Sequence, residues 1–242
     1  MTHSAFWGEF AGTTVLILLG NGVVACVDLK KSYGHSAGWL AITAGWCFAV
    51  LAGVITALAL GSHAHLNPAV TVGLALASGA WSEVPAYVSG QFVGAMLGAT
   101  LVWLHYLPHW GITENESDKR ACFCTAPAIR HLPANVLSEI IGTFVLVFVA
   151  AAISSARLAP TGLPPGVGPV IVGFLVWAIG LSLGGPTGYA INPARDLGPR
   201  LMHSLLPLAG KGPSGWDYAP IPVVGPVIGA LLAGLAIRFT AL

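Results

Sequence analysis

Six apolar stretches, each close to the length a helix needs to cross a bilayer, dictate what this chain can become. They run approximately over 5–27, 37–60, 84–106, 135–157, 166–184 and 218–240, and about 20 residues are enough to span the hydrocarbon layer. Hydrocarbon offers no partner to an unpaired backbone amide, so these segments must be helices packed in a bundle. Composition agrees, because 55% of residues are hydrophobic and only 8% are charged, where a soluble domain carries roughly 25% charged residues. The expected class is an all-α membrane protein.

Two shorter apolar pieces do not fit that scheme. They cover about 67–78 and 192–203, and each opens on the same turn, Asn67-Pro68-Ala69 and Asn192-Pro193-Ala194. Asn is a favoured helix N-cap, Pro suits the first helical position and Ala adds no bulk, so each turn launches a helix. At about 1.5 Å per residue such helices cross only half the hydrocarbon layer. They are expected to be re-entrant half-helices whose N-termini are small positive poles. One Asn-Pro-Ala is ordinarily a turn and nothing more, but two in one strongly apolar chain describe a repeat.

The rest of the chain carries the same duplication. Gly8-Glu9-Phe10-Ala11-Gly12-Thr13 is echoed by Ser138-Glu139-Ile140-Ile141-Gly142-Thr143, and a polar stretch, 107–134, separates the halves. The expected organisation is one channel-like unit, 1–242, made of a first repeat 1–106, a connecting loop 107–134 and a second repeat 135–242. Three spans per half leave the second half starting on the opposite membrane face, which makes the repeat inverted. The half-helices then enter from opposite sides and meet tip to tip near the midplane. Two positive tips, each with an Asn amide, suit a passenger that is neutral and rich in lone pairs. Gly90, Gly94 and Gly98 in the third span and Gly225, Gly229 and Gly234 in the sixth favour close helix packing and carry no information about the passenger.

Several function classes are excluded on the same evidence of composition and spacing. Ten Lys and Arg nearly balance nine Asp and Glu, so no nucleic-acid footprint is present. Of the four cysteines, Cys122 and Cys124 form a Cys-x-Cys pair with no second pair at metal-site spacing, and no structural metal or cofactor is expected. The pair His63 and His65 lacks further ligands. No Gly-x-Ser-x-Gly, His-Glu-x-x-His or paired-carboxylate spacing occurs, so no enzyme is expected. The N-terminus lacks a basic leader and a cleavage-site pattern, and the first apolar segment is expected to be a retained span.

The segment Thr187-Gly188-Tyr189-Ala190-Ile191-Asn192-Pro193-Ala194-Arg195-Asp196-Leu197-Gly198-Pro199, taken with the first Asn-Pro-Ala, resembles the major intrinsic protein (aquaporin) family and, within it, the glycerol-facilitator branch. The resemblance covers nearly the whole chain. It implies six transmembrane helices plus two re-entrant half-helices, forming a passive channel for glycerol and other small uncharged solutes. Water would be a co-permeant, protons and ions would be excluded, and urea, other small polyols and neutral acids are further candidate passengers. It also implies a homotetramer in membrane lipid.

Residue by residue, the resemblance places Arg195 in a selectivity filter with Gly180 and Tyr189, and Asn67, Pro68, Ala69, Asn192, Pro193 and Ala194 at the central constriction. It makes His63, Ala64, His65, Ala190 and Ile191 a ladder of loop carbonyls, and Glu9, Glu139 and Asp196 structural anchors. Gly180 stands where water-selective relatives usually carry His, and Tyr189 where the glycerol branch usually carries Phe, which adds a hydroxyl to the filter. His63 replaces a residue that is normally Gly. The remaining filter wall is Trp46 by pattern and Cys47 by spacing back from Asn67; Trp46 is preferred because it completes an aromatic wall with Tyr189. A mainly water-selective channel, or a closed junction protein on the same scaffold, is the alternative function.

The resemblance further implies a protein of the plasma or inner membrane with both termini in the cytoplasm. On that arrangement Lys30, Lys31, Lys119, Arg120, Arg130 and Lys211 lie outside and only Arg157 and Arg238 inside, against the usual positive-inside bias. The motif match is given more weight than the charge count.

Overall fold

The structure, a computed structural model, describes residues 2–242, with side chains from residue 5 onward. Among the described residues there are ten helices and no strand: α1 Thr2–Asp28, α2 Gly38–Ala59, α3 Pro68–Ser78, α4 Val84–His105, α5 Leu107–Trp110, α6 Glu116–Ala121, α7 Leu132–Ile153, α8 Val167–Leu183, α9 Pro193–Leu205 and α10 Ile221–Thr240. Helices α1, α2, α4, α7 and α10 are long and apolar enough to cross a membrane. Helix α8, which fills the fifth expected span, has 17 residues, the lower end of the length that crosses a bilayer. It is held short by Pro164-Pro165-Gly166 before it and Gly184-Gly185-Pro186 after it.

Local chemistry explains where helix ends depart from expectation. Helix α7 begins at Leu132 because the His131 ring accepts the Ala134 amide proton at 3.3 Å and Pro133 fits the first turn. Helix α10 waits until Ile221, with Pro220 at its cap and Pro222 in its first turn. The stretch 107–134, expected as a loop, instead contains α5 and α6, the latter capped by Asn115, whose side chain accepts from the Ser117 amide at 2.9 Å. That segment folds back onto the bundle. Cys122, Phe123 and Cys124 are buried, Asn21 of α1 donates to the Phe123 carbonyl at 3.3 Å, and the Lys119 ammonium donates to the Ala209 carbonyl at 2.7 Å.

Helix α1 packs on α2 and α4, and α7 packs on α8 and α10. Close approach is built into both sets by glycine. A Cβ at Gly90 would lie 2.6 Å from the Phe6 carbonyl oxygen, one at Gly94 would strike the Phe10 carbonyl, and one at Gly229 would strike the Ile140 carbonyl. The two short helices cross over between the halves: α3 packs on α10 and α9 on α4. Gly73 approaches the Ala230 carbonyl and Gly198 the Ala95 side chain, where a Cβ would come within 2.7 and 2.8 Å respectively. Outward-facing Leu19, Phe48, Val93, Leu97, Ile141, Phe174 and Leu232 are exposed, as a lipid-facing belt requires. The chain is a multi-pass membrane protein.

Candidate functional site

The N-termini of α3 and α9 meet inside the bundle, and their two Asn residues tie the tips together. Each Asn side-chain oxygen caps its own helix: Asn67 accepts from the Ala69 amide at 2.9 Å, and Asn192 accepts from Ala194 at 3.0 Å and Arg195 at 3.2 Å. Each side-chain amide reaches across, Asn67 to the Ile191 carbonyl at 2.7 Å and Asn192 to the Leu66 carbonyl at 2.8 Å. An amide carries two N–H donors, so each cross-link uses one of the two on each Asn.

The loops leading to the tips are wound against their preference in the same way. Ala64 and Leu66 have φ of 58° and 51°, Tyr189 and Ile191 have 37° and 42°. These are the residues three and one before each Asn, and for L-residues the left-handed region costs roughly 1–2 kcal/mol each. Two buried carboxylates offset that cost. Glu9 accepts from the His65 amide at 2.9 Å and the Leu66 amide at 2.6 Å, and Glu139 from Ala190 at 3.0 Å and Ile191 at 2.7 Å. Glu9 also takes bonds from the Ser62 hydroxyl and, at 2.7 Å, from the Gln91 amide. The Ile191 carbonyl, expected on the ladder, thus also accepts from Asn67, and Leu66, which the expectation omitted, is its counterpart.

A cavity of about 380 Å³ is lined by residues from the end of α2, the end of α7 and the start of α8, by Val70 and Leu74 of α3, by the two Asn tips, and by Trp46, Tyr189 and Arg195. His63, Ala64, His65, Ala190 and Ile191 also line it. The Arg195 guanidinium carbon lies 4.3 Å from the centre of the Trp46 ring, within cation–π range. Gly180 does not line the cavity; it stands behind Tyr189, whose ring fills the space a side chain at position 180 would take. A Cβ there would lie 2.8 Å from Tyr189 Cζ and 2.9 Å from its hydroxyl oxygen. Trp39 completes the backing, donating to the Gly180 carbonyl at 3.1 Å and meeting the Tyr189 ring edge-on at 5.8 Å.

Cys47 is buried and does not line the cavity; its backbone and sulfur lie against Gly173 of α8. His65 pairs with the Thr71 hydroxyl at 3.2 Å and packs on Tyr87 at 4.5 Å, while the His63 amide donates to the Tyr87 hydroxyl at 3.3 Å. Asp196 is buried and accepts from the Thr125 amide at 2.8 Å and the Thr125 hydroxyl at 2.7 Å.

Sequence reasoning missed Arg200. Fully buried, it clasps Asp196 at 2.8 and 3.0 Å and donates to the carbonyls of Ser214, Gly215 and Thr125 at 2.7, 2.8 and 2.9 Å. One guanidinium therefore fastens both the connecting segment and the loop after α9 to the helix that carries Arg195. The available signal was an Asp and an Arg at i and i+4 inside an apolar-chain half-helix.

A membrane bundle whose two half-helices bring their polar tips to one cavity has the architecture of a transmembrane channel. The chain belongs to the major intrinsic protein family, whose model matches residues 2–237. It is 54% identical over 230 residues to a probable glycerol uptake facilitator protein of Thermotoga maritima, covering 95% of this chain and 96% of that protein. It is 51% identical over 235 residues to the glycerol uptake facilitator protein of Bacillus subtilis, covering 96% and 83%. The solved structure of the aquaglyceroporin from Plasmodium falciparum superposes with a TM-score of 0.86 at 29% identity, covering 98% of this chain and 96% of that one.

Proposed function

We propose that this protein is a passive channel for glycerol and similar small uncharged solutes, with water as a co-permeant and without chemistry on the passenger. The observation that carries this reading is the constriction itself. The Arg195 guanidinium lies over the Trp46 ring, and the two line, together with Tyr189, a cavity whose walls are otherwise largely apolar. A polyol divides in the same way, its hydroxyls matching Arg195 and the loop carbonyls, its CH groups matching the rings. The glycerol uptake facilitators at 51–54% identity favour the same passenger.

On this reading Trp46, Gly180, Tyr189 and Arg195 form the selectivity filter, the two Asn-Pro-Ala turns the central constriction, and Glu9, Glu139 and Asp196 its anchors. Arg195 also repels cations, and the paired half-helix dipoles oppose protons, the mechanism by which aquaporins in general exclude them. We further propose a single channel unit with repeats 1–106 and 135–242, a homotetramer in the cell membrane and cytoplasmic termini. The purified protein in lipid vesicles should let them re-swell in an inward glycerol gradient several times faster than empty vesicles. Equal rates would reject the reading and leave a closed scaffold. A C-terminal reporter that fluoresces only when exported would reject the orientation.

A further inference from the structure

Arg195 is a buried cation without an acid. No ion pair among the described residues includes it, its Nη1 has no hydrogen-bond partner among them, and its guanidinium rests on the Trp46 ring. Buried charges are ordinarily paired, and a carboxylate stands next to this one in sequence. That carboxylate is Asp196, in the first turn of α9.

Asp196 is committed elsewhere. Its Oδ1 accepts from Arg200 Nε at 2.8 Å, and its Oδ2 accepts from Arg200 Nη2 at 3.0 Å, the Thr125 amide at 2.8 Å and the Thr125 hydroxyl at 2.7 Å. Arg200 is fixed in turn by the carbonyls of Thr125, Ser214 and Gly215, so neither partner of the pair can swing toward Arg195 without breaking several bonds. The other buried acid at this junction, Glu139, is occupied by the Ala190 and Ile191 amides. A first-turn acid ordinarily offsets the positive pole of its helix. Here a second cation, one turn further on, offsets the acid.

We propose that Arg200 is a positioning residue for ion exclusion: by neutralising and holding Asp196, it leaves the charge of Arg195 uncompensated toward the passage. This rests on the channel reading above. Away from water, opposite charges act on each other strongly over several ångströms, so a carboxylate one residue from Arg195 and without a partner of its own would cancel much of the barrier to cations. Arg200 does not line the cavity, and its effect is carried by the balance of charge and not by contact with a passenger.

Cation conductance through membranes containing the protein, divided by the glycerol flux of the same preparation, reads that balance. Arg200→Gln uncovers the Asp196 charge and should raise the ratio about threefold or more. Adding Asp196→Asn to Arg200→Gln removes the uncovered charge and should bring the ratio back toward the wild-type value. Arg200→Lys keeps the charge and loses the planar fork, so Tm should fall while the ratio holds. A clasp that acts only as a fastening would leak in Arg200→Lys too, and at least as much in the double variant as in Arg200→Gln. Either of those results, or an unchanged ratio in folded Arg200→Gln, overturns the inference; if Arg200→Gln does not fold, a leak in Arg200→Lys overturns it. Wild-type vesicles impermeable to glycerol, or Arg195→Val without a cation leak, would reject the channel reading on which the inference stands, and neither result depends on position 200.

Discussion

The two half-helix junctions have one backbone and two different sets of side chains. Left-handed residues fall three and one before each Asn, a buried Glu holds the two amides preceding each Asn, and each Asn bonds the other junction's loop. One turn into the helices the likeness ends. Asn67 is followed at the third place by Val70 and at the fourth by Thr71, Asn192 by Arg195 and Asp196. Val70 and Arg195 both line the cavity, one with a hydrocarbon surface and the other with a charge. Duplicated backbone builds the meeting point, and divergence at two positions places charge on only one side of it.

The largest break in that comparison is expected at the fourth place. Asp196→Asn leaves Arg200 buried without its counter-charge, a change that costs about 3–5 kcal/mol, whereas Thr71→Val removes only neutral bonds at about 1 kcal/mol each. Thermal unfolding in detergent should show a much larger drop in Tm for Asp196→Asn. Equal drops would mean that the clasp adds nothing beyond an ordinary polar contact.

Replacing either anchoring Glu comes next. Gln offers one acceptor oxygen where the carboxylate offered two, so one loop amide is left unpaired at a cost of roughly 1–3 kcal/mol. Both Glu9→Gln and Glu139→Gln should lower Tm and glycerol flux together. Glu139→Gln should be the milder, because Glu9 accepts from two further side chains, Ser62 and Gln91, and Glu139 from one, Thr187. The reverse ranking would show that those two extra donors do not bear on the first loop.

Arg195→Val makes the second junction resemble the first. Glycerol flux should persist or rise while cation conductance appears, since the local barrier to ions is electrostatic; proton exclusion should survive largely intact. Collapse of glycerol flux with no gain in conductance would make Arg195 a structural residue. The smallest effect belongs to Cys47. Its place against α8 and outside the cavity predicts slow mercurial reaction and little change in flux for Cys47→Ser. Burial pushes the Cys124 thiol up to about 12, so that thiol does not compete for the reagent. Rapid block abolished by Cys47→Ser would put the sulfur in the passage.

The helices and their inverted arrangement were legible because membrane length, apolarity and the paired Asn-Pro-Ala turns leave few alternatives. Glu9 and Glu139 were legible for a related reason, since a carboxylate inside an apolar span must have partners. The clasp around Arg200 was not. Its partners at Thr125, Ser214 and Gly215 lie in segments with no motif, joined to it only by the folded chain. The connecting segment misled for the opposite reason: Glu116, Asp118, Lys119 and Arg120 advertise an exposed loop, while Lys119 is buried on the Ala209 carbonyl. Polarity reports what a side chain needs, and a backbone carbonyl can supply it as well as water.

The crossover of α3 onto α10 also imposes an order of events during synthesis. The Asn67 amide waits for the Ile191 carbonyl, 124 residues further on, and the Gly73 face waits longer still for Ala230. At about 5–20 residues per second that interval is on the order of ten seconds. Throughout it, the first half-helix has its contact with α4 but neither its tip partner nor its packing surface on α10. The nascent chain therefore carries a short helix, too brief to span lipid, until its last span arrives, and a ribosome-tethered chain ending before α10 holds α3 on α4 without the α10 face it packs on in the finished protein.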